Sequence, residues 1–190
     1  MCPKRRTFAV GRSDPRPLVL GAAAPTVEAV SNLPNLPTAD AVRFAVDRAQ
    51  TALCNYCPDA TFPVNVVKVA RDMGLGVYTA TLDGGTVLST LTEEVGESAH
   101  IYVSRGVPLV TQRFSVAREL GHYVLGPDGA LDAFAAELLM PAYAVRECHA
   151  LGLSVCGMGQ FFCVAPQAVV RRLATMHICP HPRRGWTGGR

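Results

Sequence analysis

Arg118, Glu119 and His122 stand in the order R-E-L-G-H between apolar flanks. Two imidazoles four residues apart on a helix, with a glutamate beside the first, make the pattern H-E-x-x-H that holds a zinc ion. On a helix, residues 118 and 122 lie about 6 Å apart on one face, with residue 119 beside them. In an intact site of this kind the metal lowers the pKa of bound water towards about 7. The glutamate then takes the water's proton as it attacks a carbonyl. Here an arginine occupies the first ligand's position, and a guanidinium has no lone pair to offer a metal. A third ligand must come from a following helix, and the nearest downstream carboxylates are Asp128 and Asp132.

The elements that would carry these residues are legible as periodic runs. Thr38-Ala39-Asp40 is a helix start, followed by Val42, Ala45, Val46, Ala49 and Leu53 at helical spacing. A second helix is expected over residues 63–73, stopped by Gly74. Residues 75–82, 86–91 and 100–104 read as short strands, with Asp83-Gly84-Gly85 as hairpin chemistry between the first two. Pro108 or Leu109 opens the long helix through Leu125 that holds the motif, and Gly126-Pro127-Asp128-Gly129 reads as a tight turn. Further helices are expected over 131–140, from Pro141 to about 151, over 155–162 and over 166–176. A small antiparallel sheet beside several helices is an α+β arrangement.

The chain of 190 residues with 49% hydrophobic content can build one globular domain with tails. Residues 1–37, with six prolines and no amphipathic period, read as a flexible basic leader; 38–178 read as the domain and 179–190 as a frayed basic tail. A whole-chain charge of +3, with +4 in residues 1–17 and +5 in 171–190, leaves −6 for the body. Basic tails around an acidic body suit weak contact with nucleic acid or an acidic partner, or simply keep the protein in solution. Seven cysteines without a regular framework argue against a disulfide scaffold. No apolar stretch approaches the roughly 18 residues of a membrane span. A reduced, cytoplasmic protein is the expectation.

Weaker candidates each have a plainer reading. Cys54-Asn55-Tyr56-Cys57 is a C-x-x-C that would suit redox chemistry or half a zinc site. Cys148, His149, Cys156, Cys163, His177, Cys179 and His181 are too irregular to supply the other half, and read as small hydrophobes and incidental surface residues. Tyr123 and Tyr143 suit a cleft or a core boundary, and Phe134, Leu138, Leu139 and Met140 suit the core. Arg171-Arg172 reads as a solvated helix face.

Two segments carry a family resemblance. Residues 112–125, Q-R-F-S-V-A-R-E-L-G-H-Y-V-L, resemble the R-F-T-x-A-H-E-L-G-H-x-x-L segment of ImmA/IrrE-type metallopeptidases. Residues 133–141, A-F-A-A-E-L-L-M-P, resemble that family's F-A-A-E-L-L-M-P segment, and the likeness extends over about residues 40–178. It implies a zincin-like fold, a zinc cofactor, Glu119 as general base and His122 as a ligand. Two departures stand out. Arg118 replaces the first ligand. Only eleven residues separate His122 from Phe134, so the family's third-ligand glutamate has no counterpart. Asp128 lies near the expected offset and Asp132 nearer the helix, and either carboxylate would have to reach farther than a glutamate.

The resemblance implies a role beside helix-turn-helix repressors in mobile-element or stress control. With two ligands missing or replaced, the expectation is a pseudo-metallopeptidase that binds such a repressor as a regulator. Arg118 would then pair with Asp128, Asp132 or Glu119 and stabilise the former metal site without metal. The alternative is an active zinc endopeptidase with a non-standard ligand set. A third reading is a nucleic-acid accessory protein acting through its tails.

Overall fold

Thr38 caps the first helix, α1 (Ala39–Tyr56), by accepting a hydrogen bond from the Ala41 amide through Oγ1 at 3.2 Å. Asp40 in its first turn favours the same polarity. Ala45, Ala49 and Ala52 form its buried stripe, and their small side chains allow close packing on the helices below. The computed structural model describes residues 37–59, 61–81, 89–92, 99–126 and 129–181. The expected leader, apart from Pro37, lies outside these residues.

A shorter helix, α2 (Val66–Asp72), begins three residues later than its proline suggested, because the Asn65 side chain caps it by accepting from the Lys68 amide at 3.1 Å. It ends at Gly74, whose φ of +88° is open to glycine at little cost. Three strands follow: β1 (Gly76–Ala80), β2 (Ser89–Thr92) and β3 (His100–Ser104). Their order is β1-β3-β2, with β1 parallel and β2 antiparallel to β3.

This corrects the expected all-antiparallel sheet and the expected β1–β2 hairpin. Gly76 pairs with His100 in the parallel half, and Thr92 pairs with His100 in the antiparallel half. The Asp83-Gly84-Gly85 turn lies outside the described residues. The physical reason for the central position of β3 is its inner face, where Ile101 and Val103 are buried. Ser89, Thr90 and Thr92 make β2 a polar strand suited to an edge.

Above the inner face runs α3 (Leu109–Leu125), followed by α4 (Leu131–Leu139), α5 (Ala142–Ala150), α6 (Val155–Phe162) and α7 (Pro166–Thr175). Pro166 sits in the first turn of α7, where its missing N–H costs nothing. Ser154 caps α6, its Oγ accepting from the Gly157 amide at 3.2 Å. The core lies where α1, α3 and α4 meet over the sheet, centred on Phe134, Leu120, Leu138 and Ile101. Among the described residues no helix is long and apolar enough to cross a membrane.

Two expectations about the C-terminal region change. Arg172 is buried, not solvated. The expected frayed tail is held against α5 as far as His181. The His149 ring Nε2 donates to the Cys179 carbonyl at 2.9 Å, and the His181 ring Nε2 donates to the His149 carbonyl at 2.8 Å. The two rings stack with centroids 4.1 Å apart.

Candidate functional site

Helix α3 carries the motif, and its partners fix which way each motif residue faces. Gln112 anchors its first turn, donating from Nε2 to the Val107 carbonyl at 3.0 Å. Arg113 ties the same turn to the rest of the domain through the Val64 carbonyl at 2.8 Å and the Cys163 carbonyl at 3.2 Å. Val116, Ala117, Leu120 and Gly121 are buried, so Arg118, Glu119 and His122 fall towards the opposite, more accessible side.

Among the described carboxylates considered for Arg118, Glu119 and Asp132, it meets Asp132. Arg118 Nε lies 2.9 Å from Asp132 Oδ1, an ion pair between α3 and the first turn of α4. Glu119 turns instead to the sheet, where its Oε1 accepts a hydrogen bond from Ser89 Oγ at 2.6 Å. His122 is half-buried and has no hydrogen-bond partner among the described residues. Asp128 lies outside the described residues.

The donor chemistry does not fit a three-ligand zinc centre on these side chains. The first position holds a cation, and Asp132 is engaged by that cation. Among the described residues no three His, Cys, Asp or Glu side chains come together in a group able to hold a metal. What the arrangement does supply is a charge pair that links α3 to α4.

That pair is open to water, with side-chain exposures of 50% for Arg118 and 70% for Asp132. Its worth is therefore that of a surface pair. A double-mutant cycle of Arg118→Ala and Asp132→Ala should return a coupling of at most about 1 kcal/mol in urea unfolding. A coupling of several kcal/mol would mean that the pair is far better shielded than its exposure implies.

Ser89 was not visible as a partner from the sequence. Strand alternation puts it on the same face as Leu91, but which helical side chain it meets depends on the sheet order. The larger omission was a buried polar cluster behind the site. Glu137 accepts from Gln50 Nε2 at 3.0 Å and from the Ala142 amide at 3.3 Å, and its second oxygen pairs with Arg172. Arg172 Nε also donates to the Met140 carbonyl at 3.1 Å. A carboxylate within the apolar run F-A-A-E-L-L-M was the available signal, since a buried charge needs a partner.

The two cysteines of the C-x-x-C sit in different settings. Cys54 is exposed, whereas Cys57 caps the end of α1 and burial pushes its thiol pKa up, against the opposing effect of Lys68. A raised pKa keeps sulfur as the unreactive thiol.

Between α1, α4 and α7 lies a largely apolar groove of about 480 Å³. Asp132 and Arg172 both reach it, so it borders the Arg118 pair on one side and the buried cluster on the other.

No family model matches the chain, and no curated protein matches it significantly. Its structure is similar to that of a Mycobacterium tuberculosis transcriptional regulator, with a TM-score of 0.51 and 15% sequence identity. The match covers 77% of this chain and 49% of that one, so the chain aligns with about half of the regulator's length. Such a likeness shows a shared fold and leaves activity to the site. The fold is α+β, with a mixed three-stranded sheet and helices on its inner face.

Proposed function

We propose that this protein is a metal-independent relative of the ImmA/IrrE-type metallopeptidases that acts by binding a protein partner, a helix-turn-helix repressor. The carrying observation is the Arg118–Asp132 ion pair at 2.9 Å. It supplies a fixed positive charge where the family resemblance implies zinc and occupies a carboxylate that would otherwise be a candidate ligand. The description of the fold neighbour as a transcriptional regulator is in keeping with a regulatory role.

The second reading, an active zinc endopeptidase with Glu119 as base, is favoured by the retained Glu119 carboxylate, oriented by Ser89 beside His122. Metal analysis separates the two. The parent protein, purified without added metal, should hold well under one zinc per chain. The Arg118→His variant should gain zinc relative to the parent if position 118 is the main lesion, and zinc in neither implicates the third ligand as well. Stoichiometric zinc in the parent, lost in His122→Ala, would select the peptidase. The His122→Ala control also removes from account any zinc held by Cys179 and His181.

A further inference from the structure

The face of the sheet turned away from the core carries three aromatic rings in contact. Val77 of β1 and Ile101 and Val103 of β3 are buried on the inner face. Strand alternation therefore sends Tyr78, His100 and Tyr102 to the outer one, where they stand half-buried. Tyr78 and Tyr102 are partners across the parallel strands and stack with ring centroids 5.6 Å apart. His100 meets Tyr78 edge-on at 5.5 Å and Tyr102 at 6.4 Å. Gly76, the partner of His100 in the register, makes room for the cluster. A Cβ at that position would lie 2.5 Å from His100 Nδ1 and 2.6 Å from the Tyr78 ring, so any other residue would displace the rings. Glycine inside a strand weakens it, and the close approach of the rings accounts for this one.

Around the rings the outer face is hydroxylic, and its ends are basic. Thr90 and Thr92 of β2 and Ser104 of β3 share it, and among the described residues no strand position on it is a carboxylate. Arg105 follows β3 directly, and its amide donates to the Ala80 carbonyl at 2.9 Å, which fixes it at one end of the face. Arg71 lies in the last turn of α2, shortly before β1 begins at the other end. Both arginines are exposed, and neither forms an ion pair among the described residues. Flat rings select a planar π partner, and the uncompensated guanidinium groups select an anion such as phosphate. Aromatic side chains on a sheet face are a known way of stacking two or three bases of a single strand. We propose that this outer face binds single-stranded nucleic acid, with bases stacked on Tyr102 and Tyr78 and backbone phosphates held by Arg105 and Arg71. The inference is independent of the metal-free reading of Arg118, which stands on α3 at the other side of the sheet.

Fluorescence anisotropy of the full-length chain with labelled oligo-dT and oligo-U tests this, beside an abasic strand of the same length that keeps the phosphates and lacks the bases. A base-bearing strand should bind at least about 5-fold tighter than the abasic one. Tyr102→Ala should weaken that binding about 5- to 100-fold, the range for loss of a stacking ring, whereas Tyr102→Phe should stay within about two-fold. Tyr102→Leu, which keeps apolar bulk in the strand, repeats the test should alanine unfold the domain, as circular dichroism would reveal. Arg105→Ala should lower the slope of log K against log salt by about 0.7, one phosphate contact on a single strand. A preference for oligo-U over oligo-dT would identify the strand as RNA, and the reverse as DNA. Equal affinity for the abasic strand, or binding indifferent to the loss of the Tyr102 ring, would assign the interaction to the basic ends of the chain and overturn the proposal. Absence of binding to either oligonucleotide would overturn it as well.

Discussion

Glu137→Ala should lower the unfolding free energy by about 3–5 kcal/mol, the usual cost of breaking a buried ion pair by removing one partner. The side chains of Glu137 and Arg172 are 2% and 8% exposed, so water cannot replace the lost contact. Removing the carboxylate leaves the Arg172 guanidinium, among the described residues, with the Met140 carbonyl and strips the Gln50 amide and the Ala142 N–H of their acceptor. A domain of this size has about 5–15 kcal/mol of stability to spend, so the variant should be visibly destabilised in urea. The double variant Glu137→Leu/Arg172→Met should recover most of the loss, because a pair replaced by apolar groups of similar volume is often neutral. A loss below about 1 kcal/mol for the single variant would show that the cluster contributes little. The cluster joins α1, α4, the start of α5 and α7, so the same experiment asks whether these helices unfold together.

The second large effect concerns the contact between α3 and α4 that sets the spacing of the site. A Cβ added at Gly121 would meet the Phe134 ring at 3.1 Å, closer than ordinary packing. Phe134 is fully buried. Phe134→Ala should cost about 3–5 kcal/mol through lost burial and the cavity left behind. Gly121→Val should cost about 1–3 kcal/mol by forcing the helices apart, against a small gain from leaving glycine in a helix. The informative quantity is their coupling. In the Phe134→Ala background the valine finds the vacated space, so the Gly121→Val penalty should shrink by about 1 kcal/mol or more. Additive losses in urea unfolding would mean that the two residues do not share this contact. Separation of α3 from α4 would also weaken the Arg118–Asp132 pair, since one partner stands on each helix.

Much of the local structure could be read directly. Thr38 and Ser154 are caps because a hydroxyl needs only an amide three residues ahead. The long helix begins at Leu109 and ends at Leu125, where Gly126 takes a φ of +80°. The third strand runs from His100 to Ser104, and its alternation already places Ile101 and Val103 on one face. The conflict at Arg118 was also plain, because a guanidinium cannot ligate a metal wherever it points.

The sequence by itself thus determined the α+β composition, the helix bearing the motif, the presence of Glu119 and His122 and a side chain at position 118 that cannot ligate a metal. These depend on residue chemistry or on neighbours within about one helical turn. Only the tertiary structure decided the β1-β3-β2 order, the pairing of Arg118 with Asp132 and the hydrogen bond from Ser89 to Glu119, thirty residues apart. It also turned Arg172 from an apparent surface charge into the buried partner of Glu137, thirty-five residues away. Each of these outcomes depends on which faces meet across the core. Local periodicity gives every element an apolar face, but the shapes and charges of the other elements select its partner.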